Sequence, residues 1–379
     1  MKVGIIHNSL NSVGGGERVC LKTIEALKES GYETVLATVE PTDWERVDRI
    51  MGGTVKPDEE LSLINFKVRM FGIYLRLLTT FLASKLRKLC DLVINTHGDV
   101  LPIEADIIYM HYPTFALMKE NPVNIKYSQS LFWRAYFIPY EAVQRILVKR
   151  FLSGVILTNS VFSKRAIKKY TGRDASIVYP PVEIDKFTPA SRGVDRERIV
   201  VTCGRYTPEK NYEFVLRVAE RLSGEARFMI IGASSGRISQ EYYRRLSMIK
   251  EEKGLENVEL LRDLPFDELL NVYSRARVYL HTMRYEHFGI AVVEAMAAGL
   301  VPVVHRSGGP WEDILKGQQG LYGFSYSNLD DACEVISRLV KDGVTSEIVK
   351  RNLNYVQDFS AESYKKRILH VVEELAELM

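Results

Sequence analysis

The chain has 379 residues, of which 46% are hydrophobic and 26% are charged, and its formal net charge is +3. This length allows two domains of ordinary size and excludes a peptide or a single small module. The small net charge does not indicate a nucleic-acid-binding protein. No apolar run of 18 residues or more occurs, so the sequence predicts no membrane-spanning helix.

The four cysteines also restrict the class of protein. Cys20, Cys90, Cys203 and Cys333 lie far apart, with no pair at metal-ligand spacing. This spacing predicts neither a disulfide framework nor a zinc site, and it favours reduced thiols in a cytosolic protein. The N-terminal "MKVGIIHNS" turns polar after a short apolar stretch, so it predicts a first buried strand and not a signal peptide.

Residues 2–40 predict a βαβ unit. The strand "KVGIIH" leads through a glycine loop into the helix "GERVCLKTIEALKESG", and the strand "ETVLATVE" follows. The apolar strands "LCDLVINTH", "ADIIYMH" and "SGVILTNS" continue the pattern. An open parallel sheet flanked by helices is the simplest structure for this alternation. We assign it to an N-terminal Rossmann-like domain over residues 1–190.

A proline-rich polar stretch, "VYPPVEIDKFTPASRGVDRER", predicts a linker, and a second cycle of strands and helices follows it. The predicted strands of this cycle are "RIVVTCGR", "RFMIIGA", "VELL", "RVYLHT" and "VPVVH". Helices are predicted at "NYEFVLRVAERL" and near 242–253. Residues 191–355 therefore predict a second doubly wound domain. In two such domains facing each other, ligands are expected in the cleft, outside the carboxyl ends of the strands.

The last residues, 356–379, predict a C-terminal helix. Its sequence "AESYKKRILHVVEELAELM" is amphipathic. The apolar side is predicted to consist of Ile368, Val371, Val372, Leu375 and Leu378.

Two stretches of the N-terminal half combine basic and bulky apolar residues. Residues 61–90 contain six basic side chains and no acidic one, and residues 125–151 contain Glu141 as their single acid. Basic amphipathic helices can lie on an anionic membrane surface. An ordinary half-buried helix with a solvated basic face is the alternative interpretation.

The first glycine loop, "NSVGGGERV", follows a strand and begins a helix. Its amides and the helix dipole are typical of an anion-binding site. Gly14, Gly16 and Glu40 also partly fit a dinucleotide fingerprint, although Val19 stands at the third glycine position. A nicotinamide-dependent dehydrogenase and a purely structural glycine turn therefore remain alternatives.

The segment "CGRYTPEKN" places Arg205 and Lys210 on one loop at the end of a predicted strand. A guanidinium and an ammonium that converge there would suit a diphosphate. Taken alone, such a pair could also be ordinary surface charges.

The stretch "YEHFGIAVVEAMAAGLVPVVHRSGGP" places Glu286 in a loop and Glu294 about one turn inside the following helix. Amides near Phe288, Gly289 and Ile290 can bind phosphate oxygens, while the two carboxylates can accept hydrogen bonds from sugar hydroxyls. The alternative is structural: Glu286 would cap the helix and Glu294 would pair with a lysine.

"GRYTPEKN" together with that longer stretch resembles the E-x7-E signature of the retaining GT-B glycosyltransferases of family 4. "YMHYPT", "VYPPVEIDKF" and "EHFGIAVVEAMAAG" resemble one group of this family, the eukaryotic α-1,2-mannosyltransferases that extend dolichol-linked oligosaccharide from GDP-mannose. The resemblance implies an α/β GT-B fold of two Rossmann-like domains facing each other across a cleft. In this fold residues 1–190 would bind the acceptor, residues 191–355 would bind the nucleotide sugar, and the helix of residues 356–379 would cross back to the N-terminal domain.

The resemblance also implies roles for the second-domain residues. Arg205 and Lys210 would neutralise the leaving diphosphate, together with the helix N-terminus around Phe288–Ile290. Glu286 would hold hydroxyls of the transferred sugar, and Glu294 would bind the ribose.

For the N-terminal domain, the resemblance implies that Gly15 and Gly16 let the loop approach donor phosphates and acceptor. His111, at the end of the strand "ADIIYMH", would contact the donor sugar and support its developing positive charge. A structural histidine beside a tyrosine is the alternative.

The implied reaction transfers mannose from GDP-mannose to a lipid-linked glycan, with retention and front-face attack. No DxD triplet occurs in the sequence, so no metal cofactor is expected. The eukaryotic relatives have an N-terminal anchor that is not recognised here, so we expect peripheral contact with the cytoplasmic face of an anionic membrane through residues 66–90 and 132–151. The alternatives are a UDP- or ADP-sugar donor with a soluble acceptor, or a catalytically inactive sugar-nucleotide sensor.

Overall fold

In a computed structural model of the chain, residues 1–65, 79–97, 105–114, 131–151, 153–192, 196–343 and 346–378 are described. The chain divides into two compact units. The first unit comprises Met1–Pro181 with Ala361–Met379, and the second comprises Val182–Ser360. The division after Pro181 lies inside the proline-rich stretch predicted as a linker. Residues 182–190, which the sequence assigns to the N-terminal domain, lie in the second unit.

The first unit is built on a seven-stranded parallel sheet in the order β3-β2-β1-β4-β5-β6-β7. Its strands are β1 (Lys2–Ile6), β2 (Glu33–Thr38), β3 (Glu59–Ser62), β4 (Leu92–Asn95), β5 (Ile107–Met110), β6 (Val155–Thr158) and β7 (Ser176–Ile177). Its described helices are α1 (Gly15–Glu29), α2 (Trp44–Met51), α3 (Thr79–Leu86), α4 (Leu131–Phe151), α5 (Val161–Thr171) and, from the end of the chain, α13 (Ala361–Ala376).

Helices cover both faces of this sheet. Ile5 of β1 packs in a cluster with Ile24 of α1 and Ile368 of α13, whereas its neighbour Ile6 packs in a cluster with Leu82 of α3. Successive side chains of a strand point to opposite faces. The central strands are therefore apolar without interruption, as in sheets that are buried on both sides.

The C-terminal helix α13 returns to the first unit, as predicted. Tyr364 lies with its hydroxyl oxygen 2.6 Å from Thr23 Oγ1 of α1, and Lys365 Nζ lies 2.8 Å from Glu29 Oε2. Lys365 is only 6% exposed, and the sequence pattern did not indicate this burial. The prediction for Leu378 is wrong: this residue follows the end of α13 and is 82% exposed.

The second unit repeats the architecture with six parallel strands in the order β10-β9-β8-β11-β12-β13. Its strands are β8 (Ile199–Cys203), β9 (Arg227–Gly232), β10 (Val258–Arg262), β11 (Val278–His281), β12 (Val301–His305) and β13 (Phe324–Tyr326). Its described helices are α6 (Ile184–Phe187), α7 (Tyr212–Arg221), α8 (Arg237–Glu252), α9 (Phe266–Arg275), α10 (Ile290–Ala297), α11 (Leu329–Asp342) and α12 (Ser346–Tyr355).

The strand order of the second unit determines where a ligand can bind. β8 has β9 on one side and β11 on the other, so the chain leaves β8 in one direction and reaches β11 only after two further strands. In open parallel sheets, ligands bind outside the carboxyl ends of the strands at this topological switch point. The loops after β8 and after β11 are therefore the candidate ligand-binding loops.

Candidate active site

The two loops at the switch point of the second unit have distinct backbone geometries. After β8, residues Pro208–Lys210 form one turn of 3₁₀ helix, and Asn211 (φ +54°) is the N-terminal cap of α7. After β11, the loop runs to Gly289 (φ +102°), at the start of α10. The predicted positions of Lys210 before a helix and of Glu286 in a loop are therefore correct.

Lys210 and Glu286 form an ion pair between these loops. Lys210 Nζ lies 2.8 Å from Glu286 Oε2, and it also lies 3.4 Å from Met283 Sδ. The two side chains are 22% and 17% exposed, so the pair is largely shielded from water. Thr282 Oγ1 donates a 2.6 Å hydrogen bond to the Lys210 carbonyl oxygen and connects the loops a second time.

The Lys210 ammonium determines the charge state of Glu286. Burial alone would raise the pKa of Glu286, but Lys210 and the nearby His281 more than compensate and lower this pKa to about 2. Glu286 is therefore an ionised carboxylate throughout the neutral range. An ionised carboxylate is acceptor-only, so Glu286 can accept hydrogen bonds from hydroxyl groups.

His281, the last residue of β11, stands beside this pair. Its Nε2 lies 3.8 Å from Glu286 Oε2, and its side chain is 6% exposed. Burial lowers the pKa of His281 to about 4, although the Glu286 carboxylate opposes this shift. His281 is therefore neutral near pH 7. His281 was not among the predicted site residues, although it lies in the quoted strand "RVYLHT".

The N-terminus of α10 lies directly after Glu286. Gly289 is its left-handed cap residue, and a Cβ there would lie 2.9 Å from Pro310 Cγ. Phe288 is 3% exposed and packs on Phe359 with ring centroids 5.5 Å apart, so its side chain is not available to a ligand. Glu294 is the fifth residue of α10 and half-buried. The predicted location one turn inside the helix is correct.

Arg205 lies in the loop after β8 and is exposed. Its carbonyl oxygen accepts a 2.9 Å hydrogen bond from Thr207 N–H. The predicted arrangement of Arg205 and Lys210 on one loop at a strand end is therefore correct. The role of Arg205 stays a prediction.

In the first unit, the N-terminus of α1 is capped from within the helix. Glu17 accepts hydrogen bonds from Gly14 N–H (2.7 Å) and from the Ser12 hydroxyl. The Glu17 carboxylate therefore already binds the Gly14 amide, which the glycine loop would otherwise offer to an anion. Gly15, the first residue of α1, remains exposed.

Gly16 and His111 are neighbours in the first unit. A Cβ on Gly16 would lie 3.3 Å from His111 Nε2, so a larger residue there would press on the imidazole. The His111 ring also lies 5.0 Å from the Tyr109 ring, whose hydroxyl donates a 2.7 Å hydrogen bond to Val178 O. His111 is thus held at the end of β5, as predicted, and its role in chemistry stays a prediction.

Two further histidines of the first unit were missed. His7 Nδ1 lies 3.0 Å from Thr96 Oγ1, and the rings of His7 and His97 are 5.5 Å apart. The residues follow β1 and β4, which are adjacent in the sheet. Each of the quoted strands "KVGIIH" and "LCDLVINTH" ends in one of these histidines, and this shared ending was the available signal.

Glu40, the residue that would bind ribose in a dinucleotide fingerprint, is engaged locally. Its Oε1 accepts hydrogen bonds from Ser9 Oγ (2.7 Å) and Asn11 Nδ2 (3.0 Å). Among the described residues, no group of three or more His, Cys, Asp or Glu side chains is arranged to hold a metal ion.

The second unit is expected to lose stability as the pH falls below 6.5. Burial lowers the pKa of His281 and of His305 from 6.5 to about 4. Between these pH values the folded state therefore binds fewer protons than the unfolded state, and stability falls with the pH. Stabilisation by Glu286 is then lost between pH 4.5 and about 2. Each group contributes up to about 3 kcal/mol. Urea unfolding at pH 7.5 and pH 5 measures the histidine part.

His281→Asn should flatten the pH dependence of unfolding between pH 6.5 and 4, whatever its effect on stability at pH 7.5. His370→Asn is the matched control, because His370 lies on α13 and its side chain is 72% exposed. An unchanged slope for His281→Asn would contradict the assignment of this pH dependence to His281.

Comparison with known proteins agrees with this geometry. Residues 184–357 match the family "Glycosyl transferases group 1". This segment spans nearly the whole second unit and includes both loops of the Lys210–Glu286 pair. Residues 184–357 are therefore similar to this family, and the resemblance predicted from the sequence is confirmed.

The chain is similar to GDP-Man:Man(3)GlcNAc(2)-PP-Dol alpha-1,2-mannosyltransferases. The protein of Homo sapiens is 29% identical over 70% of this chain, which spans 60% of that relative's length. The protein of Dictyostelium discoideum is 25% identical, over 99% of this chain and 85% of the relative. The structure is similar to sucrose-phosphate synthase of Thermosynechococcus elongatus, with a TM-score of 0.75, 16% identity and complete coverage of both chains. This structural likeness establishes the predicted GT-B fold.

Proposed function

We propose that the chain is a retaining glycosyltransferase that transfers mannose from GDP-mannose to a lipid-linked glycan. The observation that carries this proposal is the shielded Lys210–Glu286 pair beside the N-terminus of α10, at the switch point of the second unit. The names of the similar mannosyltransferases support GDP-mannose as donor and a dolichyl-diphosphate glycan as acceptor.

The proposed chemistry follows from the charges of this site. Breaking the anomeric C–O bond leaves an oxocarbenium-like sugar and a diphosphate with additional negative charge. Lys210, Arg205 and the first amides of α10 supply positive charge to that diphosphate before the bond breaks. Such preorganised electrostatic stabilisation lowers the barrier most where charge develops. The departing phosphate would accept the proton of the attacking hydroxyl.

Glu286 is proposed to bind hydroxyl groups of the transferred sugar. Its carboxylate is ionised, and Lys210 donates one of its three N–H groups to it and a second to Met283 Sδ. The third donor of the ammonium is oriented by these contacts and would bind a phosphate oxygen. One ion pair can thus fix both a sugar-binding acceptor and a phosphate-binding cation.

The other predicted roles remain part of the proposal. Glu294 would bind the ribose, and the amides of Phe288, Gly289 and Ile290 would bind phosphate oxygens. In the first unit, Gly15 and Gly16 would allow close approach of a ligand to the main chain, and His111 would contact sugar. We propose that protein cations replace a divalent metal in this reaction, so chelation with EDTA should leave transfer unchanged.

A panel of GDP-, UDP- and ADP-sugars tests the donor. GDP and GDP-mannose should raise the midpoint of thermal unfolding more than the other nucleotides, because a ligand at 100 times its Kd adds about 2.7 kcal/mol. Transfer of radiolabelled mannose to Man(3)GlcNAc(2)-PP-dolichol then tests the reaction. Equal shifts by UDP-sugars would overturn the mannosyl assignment, and stabilisation by NAD(P)H alone would favour a dehydrogenase.

We further propose that the first unit contacts an anionic membrane surface from the cytoplasmic side. On α4, Ile138 is 59% exposed and Ile146 is 63% exposed, with Val143 between them at 41%. Phe81 of α3 is 68% exposed. The basic residues Lys67, Arg69 and Arg76 of the predicted surface lie outside the described residues. Within the described part of the chain, no helix is long and apolar enough to cross a bilayer.

The double variant Ile138→Gln/Ile146→Gln should bind anionic liposomes about a hundredfold more weakly. Insertion of each half-exposed isoleucine side chain into the bilayer contributes about 1.4 kcal/mol to the free energy of membrane binding. Sedimentation with vesicles of phosphatidylcholine and phosphatidylserine measures the effect. Ile238→Gln/Met248→Gln is the matched control, since these residues of α8 are 50% and 62% exposed. Equal binding by both double variants would contradict α4 as the contact surface.

A further inference from the structure

The loop that carries Glu286 has an unfavourable backbone conformation at the preceding residue. Tyr285 has φ +55°, in the left-handed region that residues other than glycine rarely adopt. Such residues persist only where surrounding contacts hold them. Because Tyr285 precedes Glu286, relaxation of its backbone would redirect the Glu286 carboxylate away from Lys210.

The segment after the neighbouring strand β12 supplies these contacts. Ser307 Oγ accepts a 3.0 Å hydrogen bond from Tyr285 N–H, and Gly309 N–H donates a 2.8 Å hydrogen bond to Glu286 O. The backbone is therefore held immediately before and after the Glu286 side chain. A Cβ on Gly308 would lie within 3.0 Å of Glu286 O, so this close approach requires glycine.

His305 in turn orients Ser307. Its Nδ1 lies 2.7 Å from Ser307 Oγ. When the His305 imidazole is neutral with its proton on Nε2, Ser307 Oγ accepts from Tyr285 N–H and donates its own hydrogen to His305 Nδ1. The His305 ring packs edge-on against Tyr326 at 5.5 Å. Burial and Arg284 keep the pKa of His305 at about 4, which is consistent with the neutral form.

We propose that Ser307 and His305 are positioning residues for the donor site: they hold the loop of Glu286 so that its carboxylate meets Lys210. The expected effect on catalysis rests on the proposed function, whereas the contacts of Ser307 and His305 do not depend on it. Neither residue needs to touch the substrate.

The test uses the full chain and four variants. Ser307→Ala and His305→Leu should each lower kcat about tenfold, with the donor KM changed less than about twofold, because misplaced catalytic groups lower the rate of the chemical step. His305→Asn should retain most of the wild-type kcat, since Asn Oδ1 can replace Nδ1 as acceptor. Ser274→Ala is the control, because the Ser274 hydroxyl bonds only within α9, to Asn271 O.

A second measurement does not depend on turnover. Hydrogen exchange of the Tyr285 amide should be faster in Ser307→Ala than in wild type and unchanged in Ser274→Ala. If wild type transfers no sugar, the proposed function fails, while the exchange experiment still decides the positioning role. Unchanged exchange at Tyr285 in Ser307→Ala, or equal kcat values for His305→Asn and His305→Leu, would overturn the inference.

Discussion

Replacing Lys210 by methionine is expected to lower kcat by about 10²–10³, equivalent to about 3 kcal/mol of transition-state stabilisation. Methionine has a similar length and no charge, so the change removes the ammonium that faces both Glu286 and the proposed diphosphate. Initial rates with GDP-mannose and the lipid-linked acceptor measure the loss.

Lys253→Met is the matched control for this prediction. Lys253 Nζ lies 2.6 Å from Glu220 Oε2, but the two side chains are 40% and 45% exposed. Exposed ion pairs contribute little, so activity should be unchanged and stability should change by less than about 1 kcal/mol. A Lys210→Met rate within twofold of wild type would remove Lys210 from the proposed chemistry.

The same substitution has a consequence for stability. Without the Lys210 ammonium, less positive charge offsets the burial of the Glu286 carboxylate, and the pKa of Glu286 should rise. Lys210→Met/Glu286→Gln should therefore recover part of the stability lost in Lys210→Met, while transfer stays low. This divergence between stability and rate separates a chemical role of the pair from a structural one.

The sequence predicted the layers and strand ends well, because buried parallel strands are apolar without interruption and their loops carry the polar residues. It placed both Lys210 and Glu286 in loops that follow strands. It did not predict that they pair, because they are 76 residues apart and meet only since β8 lies next to β11. Strand order depends on packing between helices and sheet, and it is not contained in the order of elements along the chain.

Other features were missed because they have no local pattern. The edge strands β3 (Glu59–Ser62) and β13 (Phe324–Tyr326) are short and partly polar, as edge strands commonly are. The positioning contacts of Ser307 depend on the left-handed backbone of Tyr285. A tyrosine in the sequence does not indicate this conformation. The burial of Lys365 is compensated by ion pairs with carboxylates of α1 and of its own helix, including Glu29 and Glu362.

Arg196 is a half-buried cation that the sequence places in a polar linker. Its guanidinium donates hydrogen bonds to four carbonyl oxygens, at distances from 2.6 to 3.0 Å. The acceptors are the carbonyl groups of Ala190, Tyr273, Ala276 and Ala298. Those of Tyr273, Ala276 and Ala298 lie at the C-terminal ends of α9 and α10, where helical carbonyls lack intrahelical partners and the dipole favours a cation.

Arg196→Met is therefore expected to lower the free energy of unfolding of the second unit by about 3 kcal/mol, because it leaves these carbonyl groups without a charged donor. Hydrogen exchange of the β11 and β12 amides reports on this unit and should become faster, and the midpoint of its thermal unfolding should fall by about 6–12 °C. The unfolding midpoint of Arg196→Lys should lie between those of Arg196→Met and wild type, since one ammonium cannot reproduce the planar fork of guanidinium donors. Arg198→Met, at an exposed neighbouring position, should leave the midpoint within about 2 °C of wild type. Equal midpoints for the Arg196 and Arg198 variants would show that the four hydrogen bonds do not stabilise the unit.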